Sequence, residues 1–174
     1  MEDLKERFYK GQIFKEYLSA VKENKTSWEN NYKQYEVSPE TKNILSQIKQ
    51  KFYVLAIDED WCGDSVRNLP VIAKLVEQLP DSELRVLRKD SNLDLMERYA
   101  INGKKKIPTI VFLNSDFKEI AVWIEKPVNA WQLQEKFKNE PDGKERYLEA
   151  LKEEVTKEIL QILQILTVGK LNVT

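Results

Sequence analysis

An apolar segment, residues 52–57, runs directly into a polar turn and then into an amphipathic helix. The segment is rich in strand formers, which favours a buried β-strand. The turn that follows, residues 58–65, contains Trp61-Cys62-Gly63, and apolar residues then recur at helical spacing up to Pro80. This order of elements places Cys62 at the N-terminus of a helix, and Pro70 within the helical run predicts a kink.

The rest of the chain continues the alternation of strands and helices. Strands are predicted at residues 84–87, 109–113 and 119–123, and helices at residues 93–100 and 131–137. Residues 51–138 therefore form the predicted core, an α/β unit of order β-α-β-α-β-β-α. Residues 1–50 are predicted to be a helical extension, and residues 139–174 an amphipathic helix that packs on the core of a single compact domain.

The charges of the chain are nearly balanced, with 28 Lys and Arg against 29 Asp and Glu. Such a balance offers no excess of positive charge for a broad phosphate-binding face, so we expect no nucleic-acid partner. The apolar runs are too short to cross a membrane, and the N-terminus lacks the apolar core of a signal peptide. These features predict a cytoplasmic protein with no membrane partner, present as a monomer or a weak dimer.

The chain has no histidine and a single cysteine, Cys62. A lone cysteine cannot form an intramolecular disulfide or a cysteine-rich zinc site, and the lack of histidine excludes Ser-His-Asp and Cys-His catalysis. Acid–base chemistry then falls to carboxylates, lysine, tyrosine or water. We expect neither a metal nor another cofactor.

Cys62 is a nucleophile only as the thiolate. A helix N-terminus favours this anion through unpaired N–H groups and the helix dipole. The carboxylates of Asp58, Glu59, Asp60 and Asp64 oppose it, because nearby negative charge disfavours a further anion. The sequence leaves open which of the two effects is larger.

Five features, in this order and spacing, together resemble the thioredoxin superfamily: the strand at residues 52–57, Trp61-Cys62-Gly63, Pro70, Asp90 and Ile107-Pro108-Thr109. The resemblance implies a thioredoxin-like α/β fold, with a mixed central sheet flanked by helices and extra helices at both termini. It implies that Cys62 is the attacking thiol and that Pro108 is a cis proline facing it. Trp61, Gly63, Asp64, Ile107 and Pro108 would form the groove for a protein or small-molecule thiol or disulfide substrate.

The chain departs from the family at Ser65, which stands where thioredoxins have the second, resolving cysteine. A disulfide cycle therefore cannot close within the chain. Ser65 marks either a natural monothiol site or a cysteine replaced by engineering.

The family's buried carboxylate falls on Ala56, and its lysine partner falls on Val86. Asp58, Asp60 or water are the candidates to replace that carboxylate, although an acidic run such as residues 58–60 is typical of a solvated loop. The basic run at residues 104–106 would either steer acidic partners to the groove or simply be solvated.

Three functions stay open on this sequence. The first is a thiol–disulfide oxidoreductase that acts through Cys62, with an outside thiol resolving the intermediate. The second is a binding module that keeps the fold and has lost redox turnover. The third is a monothiol iron–sulfur carrier, because Cys-Gly-x-Ser resembles the monothiol glutaredoxin motif.

Overall fold

The computed structural model describes residues 3–168. Its helices are Leu4–Lys10 (α1), Phe14–Ala20 (α2), Lys25–Gln34 (α3), Pro39–Ser46 (α4), Gly63–Val76 (α5), Leu93–Arg98 (α6), Ala130–Phe137 (α7) and Gly143–Val168 (α8), with a 3-10 turn at Lys89–Ser91. Its strands are Gln12–Ile13 (β1), Tyr53–Asp58 (β2), Glu83–Arg88 (β3), Thr109–Leu113 (β4) and Glu119–Ile124 (β5). The order of elements predicted for the core is confirmed.

The strands form one mixed sheet in the order β1-β3-β2-β4-β5. β2 runs parallel to β3 and antiparallel to β4, and both edge strands run antiparallel to their neighbours. This confirms the predicted α/β class with a mixed central sheet. β2 lies in the centre and is covered on both faces, which explains why its sequence is continuously apolar rather than alternating.

Alternate residues of β2 face opposite sides of the sheet and enter two hydrophobic clusters. Val54 and Ala56 belong to the larger cluster, which also contains the buried face of α5. Leu55 and Ile57 belong to the smaller cluster on the other face, where Phe8 of α1 is fully buried. Strand β2 is therefore anchored on both sides at the point where it leads to Cys62.

The N-terminal segment is helical as predicted, and it also contains the short strand β1. Two residues are too few to show a period-2 pattern, so the sequence offers no signal for this strand. Gln12 and Ile13 pair with Val86 and Arg85 of β3, so this segment extends the sheet by one strand. Its aromatic residue Trp28 is fully buried in the larger cluster.

Helix α8 packs its apolar stripe against the same cluster. Val155, Ile159 and Leu163 recur every fourth residue and are fully buried. This spacing places the three side chains on one face of the helix. The described part of α8 thus covers the helical layer that contains α5.

Helix α5 begins at Gly63 and continues through Pro70 to Val76, short of the predicted end at Pro80. Proline has no N–H, so the carbonyl group four residues earlier, that of Val66, loses its helical partner. The side-chain amide of Asn31, on α3, donates to this carbonyl oxygen at 2.7 Å. A neighbouring helix therefore compensates for the proline inside α5.

We expect Asn31→Ala to lower the free energy of unfolding by about 1–3 kcal/mol, because it leaves the Val66 carbonyl without a partner. The measurement is denaturant unfolding followed by circular dichroism. Asn30→Ala is the matched control, since Asn30 is the exposed neighbour on the same helix and should change stability by less than about 0.5 kcal/mol. Equal losses in the two variants would contradict the proposed role of Asn31.

Candidate functional site

Cys62 lies where β2 has ended and α5 begins, as the strand–turn–helix pattern predicts. It is the N-cap residue of α5 and its side chain is half-buried. Its backbone N–H donates to the Glu59 carbonyl oxygen at 3.2 Å, and its own carbonyl accepts from the Val66 N–H at 3.0 Å. These bonds close the turn and fix the sulfur at the N-terminus of the helix, where N–H groups favour an anion.

The loop before β4 brings Ile107 and Pro108 to the same place. The Ile107–Pro108 bond is cis, as the resemblance implied. The Cys62 sulfur lies 3.5 Å from the Ile107 carbonyl oxygen. The Pro108 carbonyl accepts from the Glu125 N–H at 2.8 Å, which ties this loop to the end of β5.

The other residues of the predicted groove, Trp61, Gly63 and Asp64, are close neighbours of Cys62 in the sequence. The Trp61 side chain is half exposed, with the Lys89 ammonium 5.5 Å from its ring centroid. Gly63 is exposed, while Asp64 forms an ion pair with Arg67 at 2.8 Å. An apolar ring and an open backbone thus lie on either side of the thiol.

Two of the three lysines in the basic run are paired within the chain. Lys105 forms an ion pair with Glu97, and Lys106 forms one with Glu125. The second pair reinforces the connection between the loop that carries Pro108 and the end of β5.

The expectation of a solvated acidic loop at residues 58–60 is wrong. Asp58, Glu59 and Asp60 are 0%, 6% and 7% exposed. Burying three carboxylates is costly unless their oxygens are hydrogen-bonded or paired with cations. The partners come from distant parts of the chain, which local spacing does not reveal.

Asp60 is bound by the segment between α2 and α3 and by the first turn of α3. Its carboxylate accepts from the Lys22 backbone N–H at 2.9 Å, and its carbonyl accepts from the Trp28 indole N–H at 3.0 Å and from the Asn24 amide at 3.3 Å. Burial raises the pKa of Asp60, but the Lys22 N–H and the Arg88 guanidinium outweigh burial, so the net pKa is lowered. Asp60 is therefore held as a carboxylate.

Arg88, at the end of β3, supplies the positive charge for this acidic segment. Its guanidinium lies 3.3 Å from a carboxylate oxygen of Glu59 and 3.3 Å from one of Asp60. Glu59 also accepts from the Asp90 backbone N–H at 2.9 Å. Because β3 is parallel to β2, both strands end at the same edge, and this brings Arg88 beside the acidic segment.

Asp58 is the most enclosed of the three and lies next to Ser65. Its Oδ2 accepts from the Tyr17 hydroxyl at 2.7 Å. Burial raises the pKa of Asp58 to about 7, although the nearby hydroxyls of Ser65 and Tyr17 favour the ionised form. Asp58 therefore keeps its proton to a higher pH than an ordinary aspartate does, and it lies beside Ser65.

The sequence named Asp58 and Asp60 as possible replacements for the family's carboxylate, but it did not indicate Tyr17 or Arg88. Tyr17 precedes Cys62 by 45 residues and Arg88 follows it by 26. Neither belongs to a motif, so no local signal was available. Their roles appear only once α2 and β3 are placed around the end of β2.

The features found elsewhere in the described part of the chain do not involve the predicted site residues. A groove of about 810 Å³ lies between α4 and α8, and none of the predicted site residues lines it. Residues 3–168 contain no group of three or more Cys, Asp or Glu side chains arranged to hold a metal ion. The helices described there are also too short or too polar to cross a membrane.

The chain matches a known protein family over most of its length. The family model described as thioredoxin matches residues 11–138, so the match begins well before the stretch that carries the motifs. No curated protein matches the chain.

Two solved structures resemble the chain over nearly their whole lengths. A protein of unknown function from Pseudomonas aeruginosa has a TM-score of 0.77 and 18% identity, with 94% of this chain and 98% of that one covered. An HIV epitope-scaffold has a TM-score of 0.75 and 19% identity, with the same coverage. At this level of identity the likeness shows a shared fold.

The pKa of Asp58 predicts how stability depends on pH. The folded chain keeps the Asp58 proton up to about pH 7, whereas the unfolded chain loses it near pH 3.9. Between these values the folded state binds more protons than the unfolded state, so this residue makes the free energy of unfolding fall as pH rises. We expect Asp58→Asn to reduce that fall between pH 4 and pH 7 by roughly 2–4 kcal/mol.

Urea unfolding at a series of pH values measures this difference. Asp116→Asn is the control, because Asp116 lies in an exposed turn and the variant should follow the wild-type profile. If the Asp58→Asn profile also runs parallel to the wild-type profile, Asp58 does not titrate near neutrality in the folded chain.

Proposed function

Because this chain belongs to the thioredoxin family, we propose that it is a thiol–disulfide oxidoreductase that acts through the single thiol of Cys62. The observation that carries the proposal is the position of the sulfur. It lies at the N-cap of α5, half-buried, and 3.5 Å from the carbonyl oxygen that precedes the cis proline. These are the groups that the family resemblance assigns to thiol exchange.

The proposed reaction proceeds in two exchanges. The Cys62 thiolate attacks one sulfur of a substrate disulfide, a mixed disulfide forms, and the other substrate sulfur leaves as a thiolate that takes up a proton. An outside thiolate then attacks the substrate sulfur of the mixed disulfide and releases the Cys62 thiolate. The outside thiol is required, since Cys62 is the one cysteine of the chain.

The substrate would lie across the surface beside the sulfur. Trp61 offers an exposed apolar ring, and Gly63 leaves open backbone on the other side. Ile107 and Pro108 would contact the segment that flanks the substrate sulfur. Asp64, paired with Arg67, would lie at the rim of this surface. A protein or small-molecule disulfide is the proposed substrate class.

Asp58 is the proposed proton exchanger of the site. A carboxyl group with a pKa of about 7 is well matched to accept and return a proton near neutral pH. Its neighbour Ser65 is fully buried, and among residues 3–168 its hydroxyl oxygen has no hydrogen-bond partner of regular geometry. We infer that Asp58 takes the place of the carboxylate that the family has at the position of Ala56.

The second candidate function is a binding module without redox turnover. The observation in its favour is Ser65, because a buried hydroxyl cannot resolve a mixed disulfide. The two functions differ in what they require of Cys62. An oxidoreductase needs a reactive thiol, whereas a binding module works equally well with alanine at this position.

We expect Cys62 in the folded chain to react with an aromatic disulfide at pH 7 roughly tenfold or more faster than the same thiol in a free peptide of residues 58–66. The reason is that the helix N-terminus and the loop before β4 exist only in the folded chain. Stopped-flow absorbance of the released thiol measures both rates. A folded chain that reacts more slowly than the peptide would favour the binding module.

Replacing Ser65 by cysteine should restore a complete dithiol site. We expect Ser65→Cys to reduce insulin with dithiothreitol as reductant roughly an order of magnitude faster than wild type, because the second thiol resolves the mixed disulfide within the chain. Ser115→Cys is the matched control, since Ser115 is exposed in the turn between β4 and β5 and adds a thiol elsewhere. If Ser65→Cys forms its internal disulfide yet gains no activity over this control, the oxidoreductase proposal fails.

A further inference from the structure

One buried hydrogen bond joins the candidate site to the N-terminal segment. Tyr17, on α2, is fully buried, and its hydroxyl donates to Oδ2 of Asp58 at 2.7 Å. The other carboxylate oxygen, Oδ1, has no hydrogen-bond partner of regular geometry among residues 3–168. Within residues 3–168, Tyr17 is therefore the side-chain donor that binds this carboxylate with regular hydrogen-bond geometry.

The Tyr17 ring is held in place from two sides. The Trp28 ring packs against it edge to face, with centroids 5.7 Å apart and planes at 79°. The Arg88 guanidinium lies 4.6 Å from the ring centroid and is itself anchored by Glu59 and Asp60. The hydroxyl is thus a positioned donor, since these contacts prevent the ring from turning away from Asp58.

The Tyr17 hydroxyl also stays protonated near neutral pH and therefore remains a hydrogen-bond donor to Asp58. Burial, followed by the negative charge of Asp58, raises the pKa of Tyr17 far above that of an ordinary tyrosine. The phenol therefore keeps its proton, and its bond to Asp58 is strongest when the carboxylate is ionised. Removing the hydroxyl selectively destabilises the ionised form of Asp58.

Few other groups compete for this role. Helix α5 presents the uncharged Ser65, while Glu59 and Asp60 follow Asp58 along the chain and are paired with Arg88 of β3. Strand β4, which pairs with β2, has no charged residue. Arg88 contacts the neighbouring carboxylates rather than Asp58. The groups that bind the ionised Asp58 directly are therefore uncharged: the hydroxyls of Ser65 and Tyr17 and the backbone N–H of Glu59.

We propose that Tyr17 is a positioning residue of the thiol site, holding the ionised carboxylate of Asp58 next to Ser65 and so linking the N-terminal segment to proton exchange at Cys62. The chemical meaning of this proposal rests on the proposed function. Its geometric basis is the contact between Tyr17 and Asp58, which is testable without any activity of Cys62.

The test is Tyr17→Phe, which removes the hydroxyl and keeps the ring between Trp28 and Arg88. The carboxyl carbon of Asp58 is titrated by NMR in the full chain labelled with 13C-aspartate, with Cys62→Ser as the common background so that no thiol titrates. Loss of the signal in Asp58→Asn assigns it. We expect the Asp58 midpoint to rise by about 1–2 pH units in Tyr17→Phe.

Tyr32→Phe is the matched control, because the Tyr32 hydroxyl also donates to a carboxylate, that of Glu77 at the opposite end of α5. Tyr32→Phe should leave the Asp58 midpoint unchanged. If losing a tyrosine hydroxyl acted only by destabilising the fold, the two variants would shift that midpoint equally. A change of less than about half a pH unit in Tyr17→Phe would overturn the proposal. If Tyr17→Phe does not fold, 3-fluorotyrosine is incorporated instead, because fluorine makes the phenol a stronger donor. The Asp58 midpoint should then fall, and an unchanged Asp58 midpoint would overturn the proposal.

A second measurement connects the contact to the thiol. With Cys62 present, the rate of reaction with an aromatic disulfide is followed against pH in wild type, Tyr17→Phe and Asp58→Asn. The change in reaction rate with pH that is lost in Asp58→Asn should occur at a higher pH in Tyr17→Phe. The shift should equal the shift of the Asp58 midpoint measured by NMR. An unshifted pH dependence would overturn the link to Cys62, whereas a wild-type thiol that is inert at all pH values would refute the proposed function and leave the NMR titration to decide on Tyr17.

Discussion

The acidic segment at residues 58–60 lies buried at the carboxyl end of the central strand, and this burial is tolerated only because distant groups satisfy it. Lys22 and Trp28 donate to Asp60, and Arg88 pairs with both Glu59 and Asp60. An unpaired buried carboxylate would cost several kcal/mol. The donors must therefore assemble together with the strand end, and the turn that carries Cys62 is fixed as a consequence.

This requirement explains why the N-terminal segment matters to the site although it carries none of its motifs. The segment adds strand β1 to the sheet, supplies Trp28 to the core and, through Asn31, compensates for the proline inside α5. Its contact at Tyr17 reaches the carboxylate beside Ser65. One stretch of chain thus stabilises the fold and supplies hydrogen-bond donors to Asp58 and Asp60.

The proposed site combines a single thiol with a buried carboxyl group. Cys62 faces the carbonyl of Ile107, and Asp58, with a pKa of about 7, adjoins Ser65. The Asp58 carboxyl group lies next to the Ser65 hydroxyl. This is consistent with the proposed exchange at a single thiol, completed by an outside thiol.

Local pattern determined the order of strands and helices and the place of Cys62 at a helix start, which follow from periodicity and turn composition. The cis bond before Pro108 was implied by the family resemblance alone. Short β1 left no periodic trace, and the acidic run was misjudged as solvated, because burial of a charge depends on partners far away in sequence. Tyr17 and Arg88 reach Asp58, Glu59 and Asp60 only after α2 and β3 are placed beside β2. The sequence alone therefore placed the thiol at a helix start. The tertiary structure decided which groups surround the acidic segment before it, because those hydrogen bonds and ion pairs join residues that lie far apart in the sequence.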